Sequence, residues 1–212
     1  MSVEIVDPRI MEYLRRLYDD GDPVRTEMEA LAEKRRFPIV GPLVGRHLEL
    51  LTRAIGARRV FELGSGYGYS ALHFARAVGE AGVVHCTELD EENVRLAQGF
   101  LTRAGVWGRV TYHREEATTA LGRVGGTWDI VYNDIDKDGY PAVVDLAHAH
   151  LRTGGLFITD NVIWSGRVLD GQDDGKTATA GVKEFTARLF AHRGFLTSID
   201  PTRDGVAVAI KV

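Results

Sequence analysis

The fold is decided by residues 58–75, which read Arg58-Arg59-Val60-Phe61-Glu62-Leu63-Gly64-Ser65-Gly66-Tyr67-Gly68-Tyr69-Ser70-Ala71-Leu72-His73-Phe74-Ala75. A short apolar run containing one acid passes into alternating glycines and resumes with helical spacing, which predicts a strand, a tight turn and a helix. Glycine lets the backbone turn sharply and lets a ligand lie against it. The first turn of the helix would present free N–H groups to that ligand, so we expect a nucleotide-like molecule here.

The composition is that of a globular protein large enough to bury one hydrophobic core. The chain has 212 residues, of which 44% are hydrophobic and 26% charged, and its formal net charge is −4. This acidic balance makes nucleic-acid binding through a broad basic surface unlikely. Residues 2–20 do not resemble a signal peptide, and no apolar stretch approaches the roughly 20 residues of a membrane-spanning helix. We therefore expect a cytoplasmic protein without a membrane partner, in which the single cysteine, Cys86, is a buried core residue.

Apolar spacing and turn residues predict helices at the N-terminus and a sheet after them. The first three predicted helices cover residues 7–20, 23–35 and 43–55. From Arg58 onward, strands and helices alternate at the short intervals of βαβ units. The predicted strands are 58–63, 82–88, 109–114, 128–133 and 154–160, and the helices between them are 69–79, 91–104, 117–122 and 139–152. A surface loop over 165–179 and a helix over 180–192 then precede an antiparallel hairpin of 194–200 and 206–212.

Together these elements predict a single domain over 1–212, with N-terminal helices in 1–57 and a sheet core in 58–212. The fold class is α/β, a doubly wound and mostly parallel sheet of seven strands that ends in an antiparallel C-terminal hairpin. Such sheets bind ligands beyond the carboxyl ends of their strands, near the point where strand order reverses. Polar residues or glycines follow each predicted parallel strand: Glu62–Gly68, Glu88, Glu115–Ala117, Asn133–Lys137 and Asp160–Asn161.

The glycine turn departs from the dinucleotide fingerprint Gly-x-Gly-x-x-Gly, because Tyr69 stands where the third glycine would be. Phosphate binding is therefore less favoured than binding of an uncharged or carboxylate group. Glu62 would be costly to bury unpaired. A ligand ammonium would satisfy it, and the alternative is a carboxylate bonded to backbone N–H groups of the turn. Glu88 ends the next strand, where it can accept both hydroxyls of a ribose, as NAD and adenosyl cofactors equally require.

Two further strands end in oxygen donors. Asp134 follows strand 128–133, Asp160 is the last residue of the predicted strand 154–160, and Asn161 comes directly after it. If these strands are neighbours about 4.8 Å apart, the three side chains converge at one edge of the sheet. Three hard oxygen donors suit Mg²⁺, Mn²⁺ or Ca²⁺ rather than zinc. The alternative is that these acids cap turns and face solvent.

Three segments together carry a family resemblance. They are Phe61-Glu62-Leu63-Gly64-Ser65-Gly66-Tyr67-Gly68-Tyr69-Ser70-Ala71-Leu72, Asp134-Ile135-Asp136-Lys137-Asp138-Gly139-Tyr140 and Gly154-Gly155-Leu156-Phe157-Ile158-Thr159-Asp160-Asn161-Val162-Ile163-Trp164-Ser165-Gly166. In this order and spacing they resemble the cation-dependent O-methyltransferases, the catechol and caffeoyl-CoA O-methyltransferase type of S-adenosylmethionine enzymes. The resemblance runs from about residue 37 to the C-terminus. It implies a Rossmann-like methyltransferase fold and a homodimer with the N-terminal helices as candidate contacts.

The resemblance implies a role for each matching residue. The amino-acid part of S-adenosylmethionine would be held by Glu62, Gly64 and Ser65, with Ser70 on its carboxylate. The ribose would be held by Glu88, and the adenine would lie by Glu116 or Ala117. Further cofactor contacts fall on Val40, Tyr69, Asp134 and Asp136. The metal ligands correspond to Asp134, Asp160 and Asn161, the general base to Lys137, and the acceptor pocket to Trp164 and Ser165.

The expected reaction is metal-assisted methyl transfer from S-adenosylmethionine to a hydroxyl of a small vicinal dihydroxy aromatic, with Mg²⁺ the first choice of cation. Lys137 has a second interpretation, a salt bridge to Asp136 or Asp138. Asn133 stands where the family has an apolar residue and would place an extra amide beside the metal. The alternatives are methylation of a hydroxylated tRNA base, an NAD-dependent oxidoreductase and a non-catalytic binder of an adenosyl ligand.

Overall fold

The computed structural model describes residues 6–18, 20–169, 171 and 174–212. The remaining positions, which include the start of the predicted N-terminal segment and parts of the predicted helix 7–20 and loop 165–179, lie outside the described residues. The N-terminal helices are α1 (Pro8–Leu17), α2 (Pro23–Arg35) and α3 (Gly41–Ala54). Asp7 caps α1 and Asp22 caps α2 through their side-chain oxygens, and a proline follows each cap in the first turn.

The alternating part of the chain supplies the sheet and the helices that cover it. The strands are β1 (Arg59–Leu63), β2 (Val83–Thr87), β3 (Val110–His113), β4 (Trp128–Asn133), β5 (Leu151–Thr159), β6 (Phe195–Asp200) and β7 (Val206–Lys211). The helices are α4 (Tyr69–Ala77), α5 (Glu91–Arg103), α6 (Ala117–Val124), α7 (Tyr140–His150) and α8 (Thr177–Ala191). Short 3₁₀ turns cover Trp107–Arg109, Lys137–Gly139 and Trp164–Gly166.

Two predicted boundaries were wrong around the fifth strand and the last helix. The helix predicted to reach residue 152 ends at His150, because Leu151 already pairs with Trp128 of β4. Lys211 stabilises this early end by donating to the carbonyl oxygens of His148 at 2.7 Å and Leu151 at 2.8 Å. The predicted loop 165–179 likewise ends early, since α8 begins at Thr177.

The sheet has seven strands in the order β3-β2-β1-β4-β5-β7-β6. The first five are parallel, whereas β7 runs antiparallel to both β5 and β6. This confirms the predicted doubly wound, mostly parallel sheet with an antiparallel C-terminal hairpin. The strand order reverses between β1 and β4, which places the expected ligand site above the carboxyl ends of these two strands.

Alternation along the strands gives each face of the sheet its own core. Val60 packs with the cluster formed by α2 to α5, whereas its neighbour Phe61 packs with the cluster formed by α6 to α8. Trp128, Phe74 and Phe185 are fully buried, and burying a side chain of this size contributes on the order of 2–3 kcal/mol. Within the described ranges, no helix combines the length and the apolar character that crossing a membrane would need.

Candidate active site

A cavity of about 650 Å³ opens where the strand order reverses. Most of the residues singled out from the sequence line it: Val40, Gly64, Ser65, Tyr69, Ser70, Glu88, Glu116, Ala117, Asp134, Asp136, Lys137, Asp160 and Asn161. Three others do not line it. Glu62 lies buried beneath the glycine turn, and Trp164 and Ser165 lie outside the lining.

Neighbouring protein atoms leave no room for a side chain at two glycines of the turn, in addition to any space that a ligand requires. Gly64 has φ +80°, and a Cβ there would lie 2.7 Å from the carbonyl oxygen of Asp134. Gly66 has φ +52°, and a Cβ there would lie 2.9 Å from the ring of Phe37. Real Cβ atoms do not approach other atoms this closely, and side chains disfavour positive φ. The turn is therefore held tightly between the end of β4 and the segment that precedes α3.

Glu62 lies directly beneath this turn and is fully buried. Its carboxylate accepts hydrogen bonds from the hydroxyl of Ser65 at 2.8 Å, from the hydroxyl of Ser70 and from the Cys86 thiol at 3.3 Å. Side chains, rather than the backbone N–H groups considered from the sequence, thus hold the carboxylate. Burial and, to a smaller extent, the charge of Asp134 raise the pKa of Glu62 to about 7, against the hydrogen bonds from Ser70, Ser65 and Cys86.

Several residues at the site were not predicted from the sequence. Thr87, the last residue of β2, accepts a hydrogen bond from the Gly64 N–H at 2.9 Å, and its carbonyl accepts one from the Ser65 N–H at 2.9 Å. Tyr112 of β3 lies 2.9 Å from the Ser65 hydroxyl. In the sequence these two look like ordinary strand residues. Also missed were the cavity-lining residues Phe37, Leu89, Asn93 and Arg203.

The ends of β2 and β3 form the far side of the cavity. Glu88 follows β2 and accepts a hydrogen bond from the Asp90 N–H at 2.8 Å. The next residue, Leu89, is 66% exposed although it is large and apolar. An exposed leucine on a cavity wall offers a flat apolar ligand a surface to pack against.

Glu116 uses its carboxylate within the protein. It caps α6 by accepting hydrogen bonds from the N–H groups of Thr118 at 2.9 Å and Thr119 at 2.7 Å. Burial alone would raise the pKa of Glu116, but these bonds outweigh burial and lower it to about 2. The cavity surface next to it is formed by Ala117, the first residue of α6.

Asp134 and Asp160 lie side by side because of the register of β4 and β5. Each acid directly follows one member of the Cα pair Asn133 and Thr159. Asn161 comes next, with a left-handed backbone of φ +59°. Asn133 itself is fully buried and does not line the cavity, so the expected extra amide lies beneath the two acids rather than beside them.

The two acids resist ionisation. Burial and, next, the neighbouring charge of Asp134 together raise the pKa of Asp160 to about 7. Burial also raises the pKa of Asp134, although the charge of Lys137 opposes this. One oxygen of Asp160, Oδ1, is buried without a hydrogen-bond partner among the described residues. A cation placed against this oxygen would satisfy it.

These residues fit a hard divalent cation better than a metal such as zinc, which prefers sulfur and nitrogen ligands. No group of three His, Cys, Asp or Glu side chains with suitable geometry occurs in the part of the chain that the structure describes. The Asn161 amide lines the cavity with Asp134 and Asp160 and could supply a third oxygen to a cation there. An all-oxygen set of this kind suits Mg²⁺, Mn²⁺ or Ca²⁺.

Lys137 lies at the start of the 3₁₀ turn that follows β4. Its Nζ donates to Asp134 Oδ1 at 2.9 Å, so the expected salt bridge to Asp136 or Asp138 was wrong in its partner. The ammonium also lies 5.2 Å from the ring centre of Tyr140 and 5.9 Å from that of Trp164. Two aromatic rings thus confine the amine beside the acid pair.

Trp164 and Ser165 lie outside the cavity lining, although the Trp164 ring packs against the Lys137 ammonium. Both have a left-handed backbone with φ +52°. The Trp164 indole donates to the Thr179 hydroxyl at 3.0 Å, and the Ser165 N–H donates to the carboxylate of Asp204. Their assignment to the acceptor pocket stays a prediction.

The chain matches the protein family described as O-methyltransferase over residues 24–212. A catechol O-methyltransferase of Niastella koreensis is 32% identical, over 98% of this chain and 96% of the relative. A catechol O-methyltransferase of Mycobacterium tuberculosis is 32% identical, over 82% of this chain and 80% of the relative. The crystal structure of the O-methyltransferase from Bacillus cereus in complex with SAH has a TM-score of 0.88 at 25% identity, over 96% of this chain and 97% of that chain. The O-methyltransferase TomG from Streptomyces achromogenes, in complex with SAM, has a TM-score of 0.88 at 26% identity, over 96% of both chains.

Proposed function

The chain belongs to the O-methyltransferase family, and from this premise we propose that it transfers the methyl group of S-adenosylmethionine to a hydroxyl of a catechol-like acceptor, with the help of a divalent cation. The family assignment confirms the resemblance predicted from the sequence and identifies the protein as an enzyme. It also removes the nicotinamide oxidoreductase and the non-catalytic binder from the alternatives. The acidic net charge of −4 gives no support to a tRNA acceptor.

The observation that carries the proposal is the continuity of one cavity. Its lining runs from the glycine turn, through Glu88, to the acids that follow β4 and β5. Methyl transfer requires the donor carbon and the acceptor oxygen to be held in line and in contact. A cavity that has donor groups at one end and oxygen ligands at the other supports this arrangement.

S-adenosylmethionine supplies a methyl group on a positively charged sulfur, and it also carries an ammonium, a ribose and an adenine. We assign the ammonium to the lining at Ser65 and Ser70, whose hydroxyls donate to the buried Glu62 carboxylate beneath them. A positive charge there would favour the ionised form of Glu62 without contacting it. Glu88 has an oxygen left to accept ribose hydroxyls, because only Oε1 is engaged with Asp90. The exposed side chain of Leu89 and the methyl of Ala117 supply apolar surface for the adenine.

A divalent cation would be held by Asp134, Asp160 and Asn161. When bound, such a cation lowers the pKa of a coordinated hydroxyl and orients it for reaction. The protein's own part is to hold the two carboxylates at adjacent strand ends and to keep Asp160 almost fully buried, so that its charge is available to a ligand rather than to water. The unpartnered Oδ1 of Asp160 supports this assignment.

We assign to Lys137 the removal of the proton from the acceptor hydroxyl. Transfer forms a carbon–oxygen bond and breaks a carbon–sulfur bond, so the acceptor oxygen must lose its proton to end as a neutral ether. Lys137 Nζ lies 2.9 Å from Asp134 and lines the cavity, within reach of a hydroxyl placed beside that acid. To accept the proton, the amine must be neutral, and its lone pair must face the hydroxyl while an N–H group can still donate to Asp134.

The proposal is tested with methyl-labelled S-adenosylmethionine and catechol, in Mg²⁺ or in EDTA. We expect labelled product in Mg²⁺ alone, and loss of both product and Mg²⁺ binding in Asp160→Ala. The matched control is Asp145→Ala, which removes an exposed acid on α7 that is paired with His192 at 3.5 Å. Calorimetry should show binding of S-adenosylmethionine and none of NAD. Equal turnover in EDTA, or in Asp160→Ala, would eliminate the metal-assisted reaction.

A further inference from the structure

Arg203 reaches the cavity from the turn between β6 and β7. Its Nη1 donates to the carbonyl oxygen of Ile39 at 2.8 Å, and the guanidinium packs over Gly41. The arginine thus joins the C-terminal hairpin to the segment that forms the wall of the cavity before α3. Its backbone has φ +54°, a conformation that glycine and asparagine adopt far more readily than arginine. A long cationic side chain at a strained backbone position beside a ligand cavity suggests a role in binding.

Two cations line the cavity among the described residues, and they differ in what they are paired with. The Lys137 ammonium already bonds to Asp134 at 2.9 Å and to the Ile135 carbonyl at 3.3 Å. Arg203 forms no ion pair within the described part of the chain, and its one hydrogen bond there goes to a neutral carbonyl. A guanidinium carries several N–H donors in a planar fork. Arg203 therefore keeps most of its hydrogen-bonding capacity for a ligand.

The acids near Arg203 explain why a guanidinium with unused donors is important for binding the acceptor. The cavity lining contains the acids Asp134, Asp136 and Asp160 close to the end where the acceptor would bind. An acceptor that carries a negative charge would be repelled there unless a cation met it. Arg203 lines the same cavity as these acids, so its guanidinium is placed to meet such a charge.

We propose that Arg203 binds a carboxylate substituent of the methyl acceptor, so that the preferred acceptors are vicinal dihydroxy aromatics that carry a carboxylate. This inference rests on the proposed methyltransfer and names the acceptor within it. The fork of the guanidinium matches the two oxygens of a carboxylate. The bond to Ile39 holds the side chain in place before the acceptor arrives, which lowers the entropy lost on binding.

The experiment compares 3,4-dihydroxybenzoate with its neutral methyl ester in the wild type, Arg203→Gln and Arg203→Lys. Glutamine keeps a polar amide but has no charge and is shorter than the arginine side chain that reaches the Ile39 carbonyl, whereas lysine keeps the charge without the fork. We expect the wild type to favour the acid by about tenfold or more in kcat/KM. Arg203→Gln should lose this preference through KM while its kcat/KM for the ester is retained, and Arg203→Lys should keep part of it. Calorimetry of the acid with protein saturated with S-adenosylhomocysteine reports binding independently of turnover.

Arg36→Gln is the matched control, because Arg36 is also an exposed arginine with a left-handed backbone, φ +50°, and it does not line the cavity. It should leave the preference for the acid unchanged. Equal kcat/KM for acid and ester in the wild type and in Arg203→Gln would overturn the inference while leaving the proposed reaction intact. A loss of S-adenosylmethionine affinity in Arg203→Gln, with acid and ester affected alike, would overturn it in favour of a purely structural bond to Ile39. Arg203-dependent binding of the acid without methylation would support the carboxylate site and refute the reaction.

Discussion

Replacing Glu62 with glutamine should remove a pH-dependent loss of stability from the ligand-free protein. Glu62 is fully buried, and burial raises the pKa of its carboxyl from an ordinary 4.5 to about 7 despite hydrogen bonds from Ser70, Ser65 and Cys86. In the unfolded chain the same carboxyl is exposed and titrates near its ordinary value. Folding therefore favours the protonated carboxyl, and ionisation within the folded protein costs free energy.

The magnitude follows from the two pKa values of Glu62. At about 1.36 kcal/mol for each pKa unit, the difference between 4.5 and about 7 corresponds to roughly 3 kcal/mol. Below pH 4.5 the carboxyl is protonated in both states, and its favourable contribution to the free energy of unfolding is complete. The contribution declines as the pH rises above 4.5 and is lost as the pH passes the folded pKa of about 7. Because glutamine does not titrate, Glu62→Gln should gain stability relative to the wild type over this range.

The assay is urea unfolding followed by tryptophan fluorescence, at several pH values from about 5 to about 8 and without added cofactor or cation. Glu116→Gln is the control. Burial would raise the pKa of Glu116, but its bonds to Thr118 and Thr119 lower it to about 2. That carboxylate stays ionised in the folded protein throughout the range, so its replacement should shift stability by a nearly constant amount. Parallel pH profiles for Glu62→Gln and the wild type would refute the electrostatic interpretation of Glu62.

Three further changes test the turn, the proton acceptor and the quaternary structure. Gly64→Ala should lower the free energy of unfolding by about 2 kcal/mol or more. Gly64 has φ +80°, and the new Cβ would lie 2.7 Å from the Asp134 carbonyl oxygen. An unchanged thermal midpoint would show that the turn can relax. Lys137→Ala should lower kcat by about 10²-fold with S-adenosylmethionine affinity retained, and unchanged turnover would remove Lys137 as the base. Leu17→Glu on α1, where Ile10, Tyr13 and Leu17 are each at least half exposed, should convert the expected homodimer to monomers in sedimentation velocity, and a wild-type monomer would contradict that expectation.

The positions of the site residues could be predicted because they follow from strand ends. Once residues 58–63 and 128–133 are recognised as neighbouring parallel strands, whatever follows them must meet at the edge where the strand order reverses. Asp134 and Asp160 became neighbours for this reason, since the residues before them pair in register. The spacing of apolar residues predicted the strands. The rule that ligands bind where the strand order reverses then predicted the positions of the site residues.

Side-chain pairings could not be predicted in the same way, because a periodic pattern reports the face of a residue but not its partner. Lys137 had acids on both sides in the sequence, yet it pairs with Asp134, three residues back. The ring of Phe37 fills the space above Gly66, and Arg203 bonds to Ile39 across 164 residues of chain. These contacts join segments whose separation is set only when the whole sheet has formed.

Three acids lie at or beneath the cavity, of which Glu62 and Asp160 are buried and Asp134 is partly exposed. Burial raises the pKa of Glu62, Asp134 and Asp160 alike, and the cation hydrogen-bonded within this group is Lys137, on Asp134. The charge of Asp134 also raises the pKa of both Glu62 and Asp160, so the acids disfavour one another's ionised forms. Ionisation of Glu62 and ionisation of Asp160 are therefore linked through the charge of Asp134.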